Sequence, residues 1–134
     1  MKVSPYIYFD GNCLEALELY QKALKKDAKI LRYSDAPPSA GYNAPPGTEN
    51  RVMHATLPLE GEDIYFCDIP PDSNVKFGDN ISIMVTFDNR DQLNYAFDLL
   101  KEGGRVTMEL QQTFWSECFG SLEDKFGIYW MFSV

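Results

Sequence analysis

Phe9-Asp10-Gly11-Asn12 followed by CLEALELYQKAL (13–24), and Phe87-Asp88-Asn89-Arg90 followed by DQLNYAFDLL (91–100), say nearly the same thing twice. In each copy an aromatic residue ends a short β-like run, an Asp and a turn former break it, and an amphipathic helix begins. A strand and a hairpin follow each helix. The pattern predicts an α+β fold of two paired βαβββ modules, about 1–69 and 78–134, forming a curved, incompletely closed mixed sheet with its helices outside. Two such half-sheets enclose a cavity, so the ligand site is expected between the modules.

The other elements follow from periodicity. Residues 3–9 read as the first strand, and Cys13, Ala16, Leu17, Tyr20, Ala23 and Leu24 then recur at helical spacing, which calls for one buried face. Residues 28–33 read as the second strand. The stretch 34–50, with Pro37-Pro38 and Pro45-Pro46-Gly47, is too long and too broken for an ordinary turn. It reads as a lid over the cavity, an arm toward a partner subunit, or a plain surface loop. Glu60-Gly61 joins strands 51–57 and 63–68 in a tight hairpin, and Pro70-Pro71-Asp72-Ser73 links the modules.

In the second module, Ile81, Ile83, Val85 and Phe87 alternate with Ser82, Met84 and Thr86, so the aliphatic set is expected against a helix and the mixed set toward the cavity. The second helix, 90–102, buries Leu93, Ala96, Phe97 and Leu100 and ends at Gly103-Gly104. Strands at 106–110, 118–122 and 128–133 complete the set.

Size and charge narrow the function classes. A chain of 134 residues has the usual length of one domain, and 45% hydrophobic residues suffice for a core. No apolar run reaches the roughly 18 residues of a membrane helix, and the opening MKVSPYIYFDGN lacks the apolar stretch of a secretory leader. Three widely spaced cysteines, Cys13, Cys67 and Cys118, fit reduced thiols in the cytoplasm. The net charge of −8 repels phosphate backbones and anionic membranes, which excludes nucleic acid and membrane as expected partners.

PYIYFDGNCLEALELYQKAL (5–24), RYSDAPP (32–38), VMHATLPLEGEDIYFCDIPP (52–71) and QTFWSECFGSLEDKFGIYWMFS (112–133) together resemble the PhnB-like branch of the vicinal oxygen chelate superfamily, which includes glyoxalases and bleomycin-resistance proteins. The resemblance covers essentially the whole chain. It implies the glyoxalase/bleomycin-resistance fold, a homodimer, and, by way of bleomycin resistance, a groove for a cationic aromatic compound. The branch often carries a demethylubiquinone methyltransferase label. No Gly-rich nucleotide loop follows the first strand here, so the residues do not support methyl transfer from adenosylmethionine.

Superfamily chemistry uses a divalent metal held by inward His and carboxylate ligands, with open positions for substrate oxygens. Matched onto this chain, the four ligand positions fall on Pro5, Phe66, Ser82 and Met131. None is His, Asp or Glu, and their neighbours add only the Cys67 thiol, so no metal or other cofactor is predicted and a divalent metal is kept as the alternative. The expected role is metal-free binding of a small organic molecule by Phe66, Ser82, Met84, Thr86, Trp115 and Met131. The alternative is a lyase, isomerase or dioxygenase with a relocated metal or with His54, the single imidazole, as base. If Leu59 pairs with Glu62, Phe66 shares a face with Ala55 and not with His54. Asp68, Glu109 and Glu117 read as rim charges, Cys67 and Cys118 as buried and inert, and 123–127 as a structural turn.

Overall fold

A computed structural model of the protein describes residues 1–37 and 44–134. They divide into two compact units, 1–76 and 77–134, so the boundary lies between Lys76 and Phe77, just before the expected start of the second module.

In the first unit, β1 (Tyr6–Phe9), α1 (Cys13–Leu24), β2 (Lys29–Arg32), β3 (Val52–Leu59) and β4 (Glu62–Asp68) follow in order. The strands form one sheet in the order β1-β4-β3-β2. β1 runs parallel to β4, and the other pairs are antiparallel. α1 buries Cys13, Ala16, Leu17, Tyr20, Ala23 and Leu24, the stripe its spacing predicts, against β3 and β4. Glu60 and Gly61 both have positive φ (47° and 99°), as a two-residue hairpin turn with primed geometry requires, and Leu59 pairs with Glu62.

The start of α1 differs from its reading as an Asn-capped turn. Asn12 makes no side-chain cap bond. Asp68, at the far end of β4, accepts instead from the Gly11 and Cys13 amides at 2.8 and 3.1 Å through Oδ1, and from the Val52 amide at 2.9 Å through Oδ2. Asp68 is therefore no rim charge: it is buried at 2% exposure and ties helix start, β3 and β4 together. The helix ends on Lys25 in the left-handed region (φ 53°), a conformation that costs a non-glycine residue roughly 1 kcal/mol. Lys25→Gly is expected to raise stability by about 0.5–1 kcal/mol in urea unfolding.

Residues 38–43 of the stretch read as lid, arm or loop lie outside the described residues. Its two ends are tied to each other, since the Tyr33 amide donates to the Arg51 carbonyl at 3.1 Å and the Ser34 amide to the Glu49 carbonyl at 3.0 Å.

The second unit repeats the plan with β5 (Ile83–Thr86), α2 (Arg90–Lys101), β6 (Arg105–Gln111), β7 (Phe119–Glu123) and β8 (Tyr129–Ser133), in the sheet order β5-β8-β7-β6. Here the cap is local: the Asn89 side chain accepts from the Gln92 amide at 3.0 Å. Leu93, Ala96, Phe97 and Leu100 are buried as predicted, and the Phe97 ring meets Phe132 edge-on at 5.4 Å. The turn 123–127 is structural, as read. The buried Asp124 carboxylate accepts from the Phe126 and Ile128 amides at 2.8 and 3.1 Å and from the Trp130 indole at 2.8 Å.

Candidate functional site

Strand alternation gives each sheet one helix-packed and one helix-free face. In the first unit Phe66 belongs to the packed face: it is fully buried, with Tyr20 of α1 at 5.8 Å and Phe9 at 6.5 Å between ring centroids. This corrects its assignment to a ligand cavity. Pairing of Ala55 with Phe66 and of Leu57 with Ile64 turns the apolar members of β3 and β4 toward α1. His54, one residue out of step with Ala55, consequently lies on the helix-free face.

Tyr6 and Tyr8 of β1 and Tyr65 and Cys67 of β4 share that face with His54 and Thr56, because Tyr6 pairs with Tyr65, Tyr8 with Cys67 and Thr56 with Tyr65. The rings form a continuous patch. Tyr6 stacks on Tyr8 at 5.2 Å, and His54 lies 5.8 Å from Tyr6 and 5.4 Å from Tyr65. Tyr6 Oη is 3.0 Å from His54 Nδ1, and Thr56 Oγ1 is 3.3 Å from Nε2. A neutral imidazole thus finds a hydroxyl at each nitrogen, one as donor and one as acceptor. Tyr6 and Tyr8 remain 41% and 51% exposed, so the patch presents aromatic surface to solvent.

Sequence reasoning missed these tyrosines. Tyr6, Tyr8 and Tyr65 were legible as strand residues, and the signal that marks them is their common parity, which shows only once β1 is placed beside β4.

Burial pushes the Tyr6 phenol up to about 12, with the neighbouring Cys67 adding to the shift. Since an unfolded phenol titrates near 10, the stability this contributes is present below about pH 10 and is lost as pH rises from there toward 12. The melting-temperature difference between the wild type and Tyr6→Phe should be flat below that window and change within it. Absorbance at ~295 nm should show a phenolate appearing in that window in the wild type that is missing in Tyr6→Phe. Cys67 is half-buried rather than fully so, and burial raises its thiol as well, which fits an unreactive cysteine.

In the second unit the predicted site residues separate. Met84 pairs with Met131 and Thr86 with Ser133, and Ser121 stands opposite Met131, all on the helix-free face. Trp115 is 56% exposed and rests edge-on against Phe119 at 5.5 Å, so it is a surface ring. Ser82 precedes β5 and takes no part in its pairing, which begins at Ile83.

The donor chemistry at the superfamily's metal positions does not fit a divalent cation. Pro5 has no side-chain donor, Phe66 packs on the helix, Ser82 lies outside the strand, and Met131 offers a thioether. Among the described residues no three His, Cys, Asp or Glu side chains form a group able to hold a metal ion. An adenosylmethionine cradle fits no better after β1. The Gly11 amide is taken by Asp68, and the Arg51 guanidinium lies 3.3 Å from where a Gly11 Cβ would stand.

The fold is glyoxalase-like, and the positions matched to metal ligands carry other side chains here. A family model described as 3-demethylubiquinone-9 3-methyltransferase matches residues 1–133, and the chain belongs to that PhnB-like family. Protein YjdN of Escherichia coli (strain K12) is 30% identical, over 100% of this chain and 95% of that protein. The crystal structure of PA1353 from Pseudomonas aeruginosa superposes with a TM-score of 0.85 at 30% identity, covering 99% of this chain and 96% of the other. The PhnB protein from Bacillus cereus gives 0.76 at 27%, covering 99% and 98%. A glyoxalase-related enzyme from Fulvimarina pelagi shares the fold at 11% identity, with a TM-score of 0.62 over 99% of this chain and 88% of that one. Among the described residues no helix is long and apolar enough to cross a membrane.

Proposed function

We propose that this protein binds a small aromatic cation without a metal ion, on the tyrosine-lined face of its first sheet. The observation that carries this reading is the patch formed by the exposed Tyr6 and Tyr8 rings and the half-buried Tyr65 and His54. Electron-rich ring faces attract a cation by about 0.5–2 kcal/mol each, and the net charge of −8 favours its approach. The helix-free face of the second sheet offers Met84, Thr86 and Met131 as a softer apolar surface for the same class of ligand, with Trp115 as an exposed ring against Phe119. Sequestration then acts by mass action, in the cytoplasm, by a homodimer whose chains are each one domain.

Binding is tested by fluorescence titration with a cationic acridine dye and an anionic naphthalenesulfonate. The cation should bind more tightly, and Tyr6→Ala or Tyr65→Ala should weaken it about 3- to 30-fold. Equal affinity for the anion, or stoichiometric metal in untagged protein by elemental analysis, would sink the reading. Light scattering that returns a monomer would remove the dimer.

The hydrogen bond between Tyr6 and His54 favours a second reading, a lyase or isomerase with His54 as general base. Mass spectrometry separates the two: a binder returns its ligand unchanged, and an enzyme does not.

A further inference from the structure

A cleft at the turn end of the second unit takes no part in either reading. It is an open cleft of about 770 Å³ walled by residues 77–79, 103–105 and 123–127 with Tyr129. Its backbone walls are close-set. A Cβ on Gly104 would fall on the Glu123 carbonyl oxygen, and one on Gly127 would meet the Phe77 ring at 3.1 Å.

Three polar side chains converge there. Tyr129 Oη donates to Glu123 Oε2 at 2.6 Å, Arg105 Nη2 donates to the same oxygen at 3.1 Å, and Arg105 Nη2 lies 3.4 Å from Tyr129 Oη. The Tyr129 and Arg105 hydrogen bonds hold the Glu123 carboxyl below its usual range, so it is ionised at neutral pH. Among the described residues every one of these bonds falls on Oε2 or Nη2, so Glu123 Oε1 and Arg105 Nη1 and Nε have no protein partner. One strong acceptor and several N–H donors therefore belong to one cross-strand pair, with Phe77 in the same walls and the Phe126 ring lying under the Lys125 ammonium at 5.3 Å.

Lys125 and Asp79 add one charge of each sign to the same walls. A simple anion drawn to Arg105 meets the Glu123 carboxylate, and a simple cation drawn to Glu123 meets Arg105. A neutral group with a carbonyl beside an N–H satisfies both. We propose that this cleft binds a planar aromatic carboxamide or lactam, its carbonyl accepting from Arg105, its N–H donating to Glu123 Oε1, and its ring against the exposed Phe77.

The test is amide NMR of the uniformly labelled full chain titrated with nicotinamide, with benzoate and benzylammonium as the charged analogues. Saturable shifts at Gly103, Gly104 and Gly127 with nicotinamide, weaker with both analogues, are expected. Arg105→Met and Glu123→Leu should each reduce affinity about tenfold, with peak dispersion reporting that the fold is intact. Benzoate or benzylammonium binding as tightly as nicotinamide would overturn the proposal, as would the absence of saturable shifts at these glycines. The wild-type comparison decides this without any variant. Its reporters are distinct from Tyr6 and Tyr65, so either site can fail alone.

Discussion

Asp68→Ala is expected to lose about 3–5 kcal/mol of folding stability, a large part of the roughly 5–15 kcal/mol that holds a domain together. Three backbone amides, those of Gly11, Cys13 and Val52, lose a charged acceptor at once, in a place where the carboxylate is 2% exposed. Each amide left without a partner carries its desolvation penalty, and the Cys13 amide, in the first turn of α1, has no intrahelical acceptor to fall back on. Thermal unfolding should show a melting temperature lower by roughly 10–20 °C. Asp68→Asn keeps one oxygen for the Gly11 and Cys13 amides and turns an NH₂ toward Val52, so its loss should be intermediate, about 2 kcal/mol. A loss below about 1 kcal/mol for Asp68→Ala in urea would contradict the account of α1 as a helix capped from β4.

In the second unit, Asp124→Ala is expected to cost about 3–4 kcal/mol by the same physics with different partners. Its Oδ1 serves the Phe126 and Ile128 amides in the β7–β8 turn, and its Oδ2 accepts from the indole of the fully buried Trp130. Removing the carboxylate loosens the turn and takes away the acceptor of a buried N–H. Fluorescence gives a local readout, since the other tryptophan, Trp115, is 56% exposed and can be replaced by Phe as background. In that background the emission of Trp130 should shift to the red in Asp124→Ala well below the temperature at which the parent unfolds. An unchanged emission profile would contradict the assignment.

Much of the fold was legible residue by residue. The six buried positions of α1 and the four of α2 follow from a 3.6-residue repeat, and the Glu60-Gly61 hairpin and its Leu59 to Glu62 pairing follow from turn chemistry. The alternation of Met84 and Thr86 with Ile83 and Val85 likewise survives in β5. What went astray was of another kind. Phe66 was placed toward a cavity by matching one strand position, whereas its face is decided by the partner strand and by the helix that covers them. Asp68 was read as a rim charge because nothing in its neighbourhood along the chain reveals the helix start it caps. Ser82 was extended into a strand that pairing does not reach.

The doubled motifs beginning at Phe9 and Phe87 by themselves determined the two βαβββ units, their helices and their hairpins, because those features are written in periods of two and 3.6 residues and in turn residues a few positions long. The tertiary structure decided which face of each sheet a side chain occupies and which distant group completes a helix start. It set Tyr6, Tyr8, Tyr65 and His54 side by side and carried Asp68 to Gly11. Such relations come from pairing strands that lie far apart in the chain, and a shift of one residue in that pairing sends every side chain to the opposite face.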